Sequence, residues 1–197
     1  MKVVELKNIA KQRGLKGYLK MNKSELLKLL NIPNFEDIPD ESKTMDMCLE
    51  AVKDDVYVFK DVPYKFKTKE LCEAVVKKDP KILMDVPDEL KTRDMCEKAV
   101  KKRGFLLEFV PDELKTLKMC FNAVFEKPKM FCYVPDKFKT KNMCDAVVNV
   151  SPYELEFVPD ELKTQDMCEK AVKKVPSLIV YIPDKFMTQD MLKDVEK

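Results

Sequence analysis

Six cysteines, Cys48, Cys72, Cys96, Cys120, Cys144 and Cys168, stand 24 residues apart, and thiols in register raise the question of metal or redox chemistry. Zinc ligands lie a few residues apart or are brought together by a fold. Thiols on successive helical layers would sit about 8–10 Å apart, beyond the ~4.4–6.8 Å Cα separation of a disulfide. The expected role is a small apolar side chain that lets neighbouring helices approach. Cys132 lies outside the register and is expected to be the more reactive thiol. The chain has no histidine, which removes the usual general base, the commonest metal ligand and the Ser-His and Cys-His nucleophile arrangements. No glycine-rich phosphate loop and no clustered metal ligands are legible. The expectation is a non-enzymatic protein with no catalytic residue, no metal, no cofactor and no small-molecule substrate.

Two further columns keep the same step. Lys43, Lys67, Lys91, Lys115, Lys139 and Lys163 form one. Asp88, Asp112, Asp136 and Asp160 lie three residues before four of these lysines, so the row is expected to be a solvated, neutralised face whose pairs are individually weak. The second column begins acidic, as Asp37, Asp61 and Asp85, and ends aromatic, as Phe109, Tyr133, Phe157 and Tyr181. Facing the core, these aromatics are packing residues. At a groove edge, Phe109, Tyr133, Phe157 and Tyr181 form a stripe suited to a protein partner.

The elements that must position these columns follow from the period. A Val-Pro or Ile-Pro pair recurs with its proline at 39, 63, 87, 111, 135, 159 and 183, and a threonine follows each proline by five residues. A fixed period of this length marks a repeat array in which each unit buries its apolar face against its neighbours. Counting from Thr92, apolar residues fall at +3, +4, +7 and +8 (Met95, Cys96, Ala99, Val100), one face of an α-helix. Threonine stands at the N-cap, carboxylates such as Asp94 and Asp166 occupy the first turn, and lysines such as Lys101 and Lys102 crowd the end. Each group suits the helix dipole. The predicted helix is about ten residues long. Pro80, Gly104, Pro128, Pro152 or Pro176 follows it and opens a second short helix. That helix carries one large apolar residue four before the repeat proline: Phe35, Phe59, Leu83, Leu107, Phe131, Leu155 or Ile179. The β-branched residue before each proline resists α conformation, so a break and then a single turn through PDEL are expected.

The run FVPDELKT at 109–116 and 157–164, followed by Met-Cys at 119–120 and 167–168, resembles the signature of a helical-repeat family of unassigned function found in large DNA viruses of eukaryotes and in some protists. The resemblance covers about 160 residues. It implies a viral origin and a helical fold, with the virion or the host cytoplasm as the setting.

Residues 1–31 are different in kind. They carry eight Lys or Arg against Glu5 and Glu25, a net +6, whereas the rest has 29 basic and 33 acidic residues, a net −4. An anionic partner would meet this head. Val3, Leu6, Ile9 and Ala10 form one helical face and Leu26, Leu27, Leu29 and Leu30 another, with Asn22 or Ser24 as the second cap and RGLKGYLKM extended between them. Leu6, Ile9, Ala10, Gly14, Leu15, Gly17, Tyr18, Lys20, Lys23, Glu25 and Leu26 resemble the SAP helix-extension-helix module and, more closely, the N-terminal module of transcription termination factor Rho. That resemblance implies nucleic-acid binding, DNA or RNA, through Arg13, Lys16, Lys20 and Lys23, as phosphate contacts that position rather than specify. Leu19 stands where related modules usually have a small polar residue. The other role for the head is a polar end cap or a protein-docking element of the array.

The reading is therefore an all-α chain: a helix-extension-helix head over 1–31, then an α-solenoid of about seven 24-residue two-helix repeats over 32–197. It is read as a scaffold, with nucleic acid at the head and a protein partner along the array, or alternatively as a structural or adaptor protein whose head is only a cap. No apolar run approaches the ~20 residues that span a bilayer, so no membrane contact is expected. Seven cysteines without a secretory leader point to an intracellular, reducing compartment.

Overall fold

The computed structural model describes residues 2–195, and among these the chain is all-α, with no strand. It divides into two compact units, Met1–Lys91 and Thr92–Lys197. Among the described residues, no helix is long and apolar enough to cross a membrane.

The first unit opens with α1 (Val3–Gln12) and α2 (Lys23–Leu29). Leu6, Ala10, Leu26, Leu27 and Leu30 form their common core, with Leu15, Tyr18 and Met21 packed against it. Gly14 (φ 67°) and Asn31 (φ 55°) end the two helices in the left-handed region, the conformation for which glycine and asparagine are best suited. Of the two candidate caps for α2, Asn22 is the one used. Its side chain accepts from the Glu25 N–H at 3.0 Å, and its own N–H donates to Glu25 Oε2 at 2.8 Å, a reciprocal capping box. The connection is not extended throughout, because Tyr18–Lys20 closes a 3-10 turn.

The repeats supply α3 (Met45–Asp54) and α4 (Lys69–Lys78) to the first unit. The second unit holds α5 (Arg93–Lys102), α6 (Leu117–Glu126), α7 (Lys141–Val150), α8 (Gln165–Lys174) and α9 (Gln189–Val195). From α3 to α8 each is ten residues long, as the apolar spacing predicts. Every capping threonine accepts from the N–H three residues on, at 3.2–3.3 Å, a contact worth about 1 kcal/mol per helix. The inner faces are buried as expected: Met119, Cys120, Ala123 and Val124 in α6, for example. All six in-register cysteines are fully buried and none is in a disulfide. Burial pushes the Cys72, Cys120 and Cys144 thiols up to about 11. At the array's end, Leu192 takes the cysteine position and is exposed.

The second element is a 3-10 helix, not an α-helix, three residues long before the first repeat proline (Phe35–Asp37) and six residues long in the others: Val56–Asp61, Pro80–Asp85, Gly104–Phe109, Pro128–Tyr133, Pro152–Phe157 and Pro176–Tyr181. The reason is length. The residue before the repeat proline is held extended (Val86, φ −81°, ψ 125°), which leaves too few residues for an α nucleus, whereas i→i+3 bonds close within six. Phe59, Leu83, Leu107, Phe131 and Leu155 from these helices are fully buried. Pro-Asp-Glu-Leu then makes the expected single turn, as in Asp88–Leu90.

Candidate docking groove

The lysine column is not the solvated face that the sequence suggests. Lys115 is only 7% exposed. Its Nζ donates to Asp112 Oδ1 at 2.7 Å and to the Tyr133 carbonyl, eighteen residues on in the next repeat, also at 2.7 Å. Lys43 does the same with Asp40 and the Asp61 carbonyl, and Lys163 with Asp160 and the Tyr181 carbonyl. Lys139 pairs with Asp136 at 2.9 Å and donates to the Phe157 carbonyl at 2.7 Å. The stem of each lysine is buried while its ammonium closes one repeat onto the next. Lys43, Lys67 and Lys139 also lie over Phe35, Phe59 and Phe131 at 4.7–5.0 Å.

The carbonyls that accept these lysines belong to the column that changes from acidic to aromatic. That position therefore serves the fold through its backbone, which leaves its side chain variable. Phe109, Tyr133, Phe157 and Tyr181 fall at the ends of consecutive 3-10 helices, the first, second and fourth half-buried and Phe157 more exposed. The nearby Glu108 carboxylate raises the pKa of the Tyr133 hydroxyl, and burial followed by the nearby Glu156 carboxylate raises that of Tyr181.

Cys132 does not carry the features of an activated thiol. It is half-buried, its Sγ donates to the Lys129 carbonyl at 3.1 Å, and burial followed by the nearby Glu154 carboxylate pushes its pKa up. A depressed value would be needed for reactivity. Glu154 is itself buried: one oxygen accepts from Ser151 Oγ at 3.2 Å, the other has no hydrogen-bond partner, and burial raises its pKa.

In the head, the four expected phosphate-contacting residues separate into two pairs. The Arg13 guanidinium donates to the Leu30 carbonyl at 3.1 Å and so closes the end of α2, and Lys23 pairs with Asp54 of α3 at 3.2 Å. Lys16 and Lys20 are exposed. Between them stands Leu19, 71% exposed, whose carbonyl accepts Lys7 Nζ at 2.6 Å.

The feature that the column reading missed is on α6 and α7. Outward positions of the repeat helices, one, five and nine past the threonine, are Lys69, Glu73 and Lys77 in α4 and Gln165, Glu169 and Lys173 in α8. In α6 they are Leu117, Phe121 and Phe125. Phe121 is 57% and Phe125 84% exposed, and their rings stack at 6.3 Å. Across from them, α7 places Val150, 73% exposed, where α4 and α8 have Lys78 and Lys174. Helix α5 packs on α6, and α7 on α8, but α6 and α7 stand further apart. The opening between them is an apolar groove of about 980 Å³, floored by Val124, Met143, Ala146 and Val147 and rimmed by Lys118 and Asn142. Side chains that in α4, α5 and α8 face water mostly with charge here face it with hydrocarbon in one continuous concave patch, whereas α3 shares only Met45 and Leu49 of this character. Large exposed apolar patches favour interaction. Laying the seven copies over one another at these outward positions exposes the signal in the sequence; the buried columns do not carry it.

Residues 68–115 match the family model described as Domain of unknown function (DUF4116). The matched stretch begins at a capping threonine, spans two of the 24-residue periods, and ends before α6. Neither the curated proteins nor the solved structures give a match.

Proposed function

We propose that this chain is a non-enzymatic helical-repeat scaffold that docks a protein partner in the α6–α7 groove. The observation that carries the reading is the replacement of outward charges by Leu117, Phe121, Phe125 and Val150 in two adjacent repeats whose inner faces follow the common pattern. A fold requirement would act on the inner face. Exposed aromatics in a concave patch cost solubility and suit recognition. The seven free cysteines fit a reducing compartment, and the resemblance of the repeat to those of large DNA viruses makes a virion or host-cytoplasm adaptor the natural setting.

The test is selection of binders from a displayed library of helical peptides, against the full chain and against Phe121→Glu/Phe125→Lys, which restores charges of the types that most other copies carry there. Binders that prefer the native chain at least tenfold are expected. Equal binding to both would sink the reading.

A second reading, nucleic-acid binding by the head, is favoured by the exposure of Lys16 and Lys20 on a +6 segment. It predicts salt-weakened binding of labelled DNA or RNA in fluorescence anisotropy, lost in Lys16→Glu/Lys20→Glu. Absence of binding at low salt would leave the head as the cap of the array, a reading that the Lys23–Asp54 pair supports.

A further inference from the structure

The chemistry around the groove narrows the partner, and this step rests on the docking reading above. The groove is walled by two ten-residue helices. Leu117, Phe121 and Phe125 recur at i, i+4 and i+8 on one wall, and Met143, Ala146 and Val150 at i, i+3 and i+7 on the other. Ridges at these spacings receive the side chains of a third helix. A ten-residue helix is about 15 Å long, so the occupant would fill the groove with about three turns.

Charge selects among helices. Residues 117–150 contain six lysines and three carboxylates. Two of the carboxylates are engaged: Glu126 Oε2 accepts the Gly104 N–H at 2.7 Å, and Asp136 pairs with Lys139. On the α5 side the apolar groove adjoins a second, polar one of about 230 Å³, and Lys118 lines both. In the polar groove Asp94 is held by Lys98 at 2.5 Å, and Glu97 accepts from the Thr116 hydroxyl at 3.3 Å. Lys101 and Lys118 are exposed there and, among the described residues, make no ion pair. Three lysines against two carboxylates line that groove, so the apolar floor carries a net positive rim along its α5 side.

We infer that the α6–α7 groove takes an amphipathic helix of a partner protein whose apolar face enters between Phe121, Phe125 and Val150 and whose acidic flank lies over Lys101 and Lys118. Attraction across such a rim steers encounter and fixes the direction of the bound helix, while the apolar face supplies the hold.

The test uses the full chain and three labelled helix-forming peptides of three to four turns. They share one Leu/Phe face and differ only in a flank of Glu, Gln or Lys. Fluorescence anisotropy should show the Glu peptide binding about tenfold tighter than the Gln peptide at low ionic strength, with the Lys peptide weakest and the difference shrinking in salt. Lys101→Glu/Lys118→Glu, substitutions on exposed positions, should reverse the order. Phe121→Glu/Phe125→Lys should abolish binding of all three. Equal binding of the three peptides, unchanged in the lysine variant, would overturn the acidic-helix inference while leaving the groove as a docking site. Binding that survives the phenylalanine variant, or no binding by any peptide, would overturn the docking reading as well. Groove-dependent uptake of a small apolar dye without any peptide binding would assign the groove to a small ligand and overturn both.

Discussion

In α5 the positions one, five and nine past the capping threonine are Arg93, Glu97 and Lys101; in α6, one repeat later, they are Leu117, Phe121 and Phe125. The inner faces of the two helices hardly differ: Met95, Cys96, Ala99 and Val100 against Met119, Cys120, Ala123 and Val124, all buried. The same cap, the same length and the same burial therefore carry opposite surfaces. Inner positions answer to neighbouring helices, which leave no room for change in a close-packed interior. Outer positions answer to whatever lies outside the chain. In a repeat protein, a departure confined to the outer face is accordingly not demanded by the stacking of the repeats; α6 with α7 carries the largest one, and α3 a smaller one at Met45 and Leu49.

The sharpest way to separate fold-bearing from surface charge is the lysine column. Lys115→Met keeps the buried stem and removes the ammonium, leaving the Tyr133 carbonyl without its donor. A loss of about 1–3 kcal/mol is expected in urea denaturation. Lys98→Met, which removes the exposed Lys98–Asp94 pair, should change stability by less than about 0.5 kcal/mol. Equal losses would break the distinction between clamp and surface pair.

Glu154 probes the interior by pH. Its carboxyl titrates above the ordinary carboxylate value because it is buried, so the folded chain holds that proton more tightly than the unfolded one. Its contribution to stability is complete below the ordinary value and is lost as pH rises through the raised one. Glu154→Gln should remove that pH dependence and raise stability at neutral pH by about 1 kcal/mol. A denaturation series between pH 4 and 7 whose slope is the same in both chains would contradict the assignment. The smallest effect is expected from Phe121→Glu/Phe125→Lys, which should move stability by no more than about 0.5 kcal/mol. A large destabilisation would make these rings part of the core and return α6 to the ordinary pattern.

Much of the fold was legible because it is local. The period, the threonine caps and the +3, +4, +7, +8 faces depend on residues within one turn of each other, and each appears in the structure where the spacing puts it. The groove was legible in part: Leu117, Phe121 and Phe125 break the charge pattern of their columns, a departure visible on comparing copies along the outer face. Its depth was not, because the separation of α6 from α7 is a property of packing.

The amino-acid sequence by itself determined the all-α repeat, the burial of the cysteines and the segregation of basic charge into the head, since propensity, capping and side-chain polarity act over a few residues. Tertiary structure alone decided that Lys115 would reach the Tyr133 carbonyl, that Arg13 would close α2 and Lys23 would meet Asp54, and that the α6–α7 gap would open. These outcomes depend on groups distant in the chain, such as residues eighteen apart, which the sequence does not place beside each other until the helices have packed.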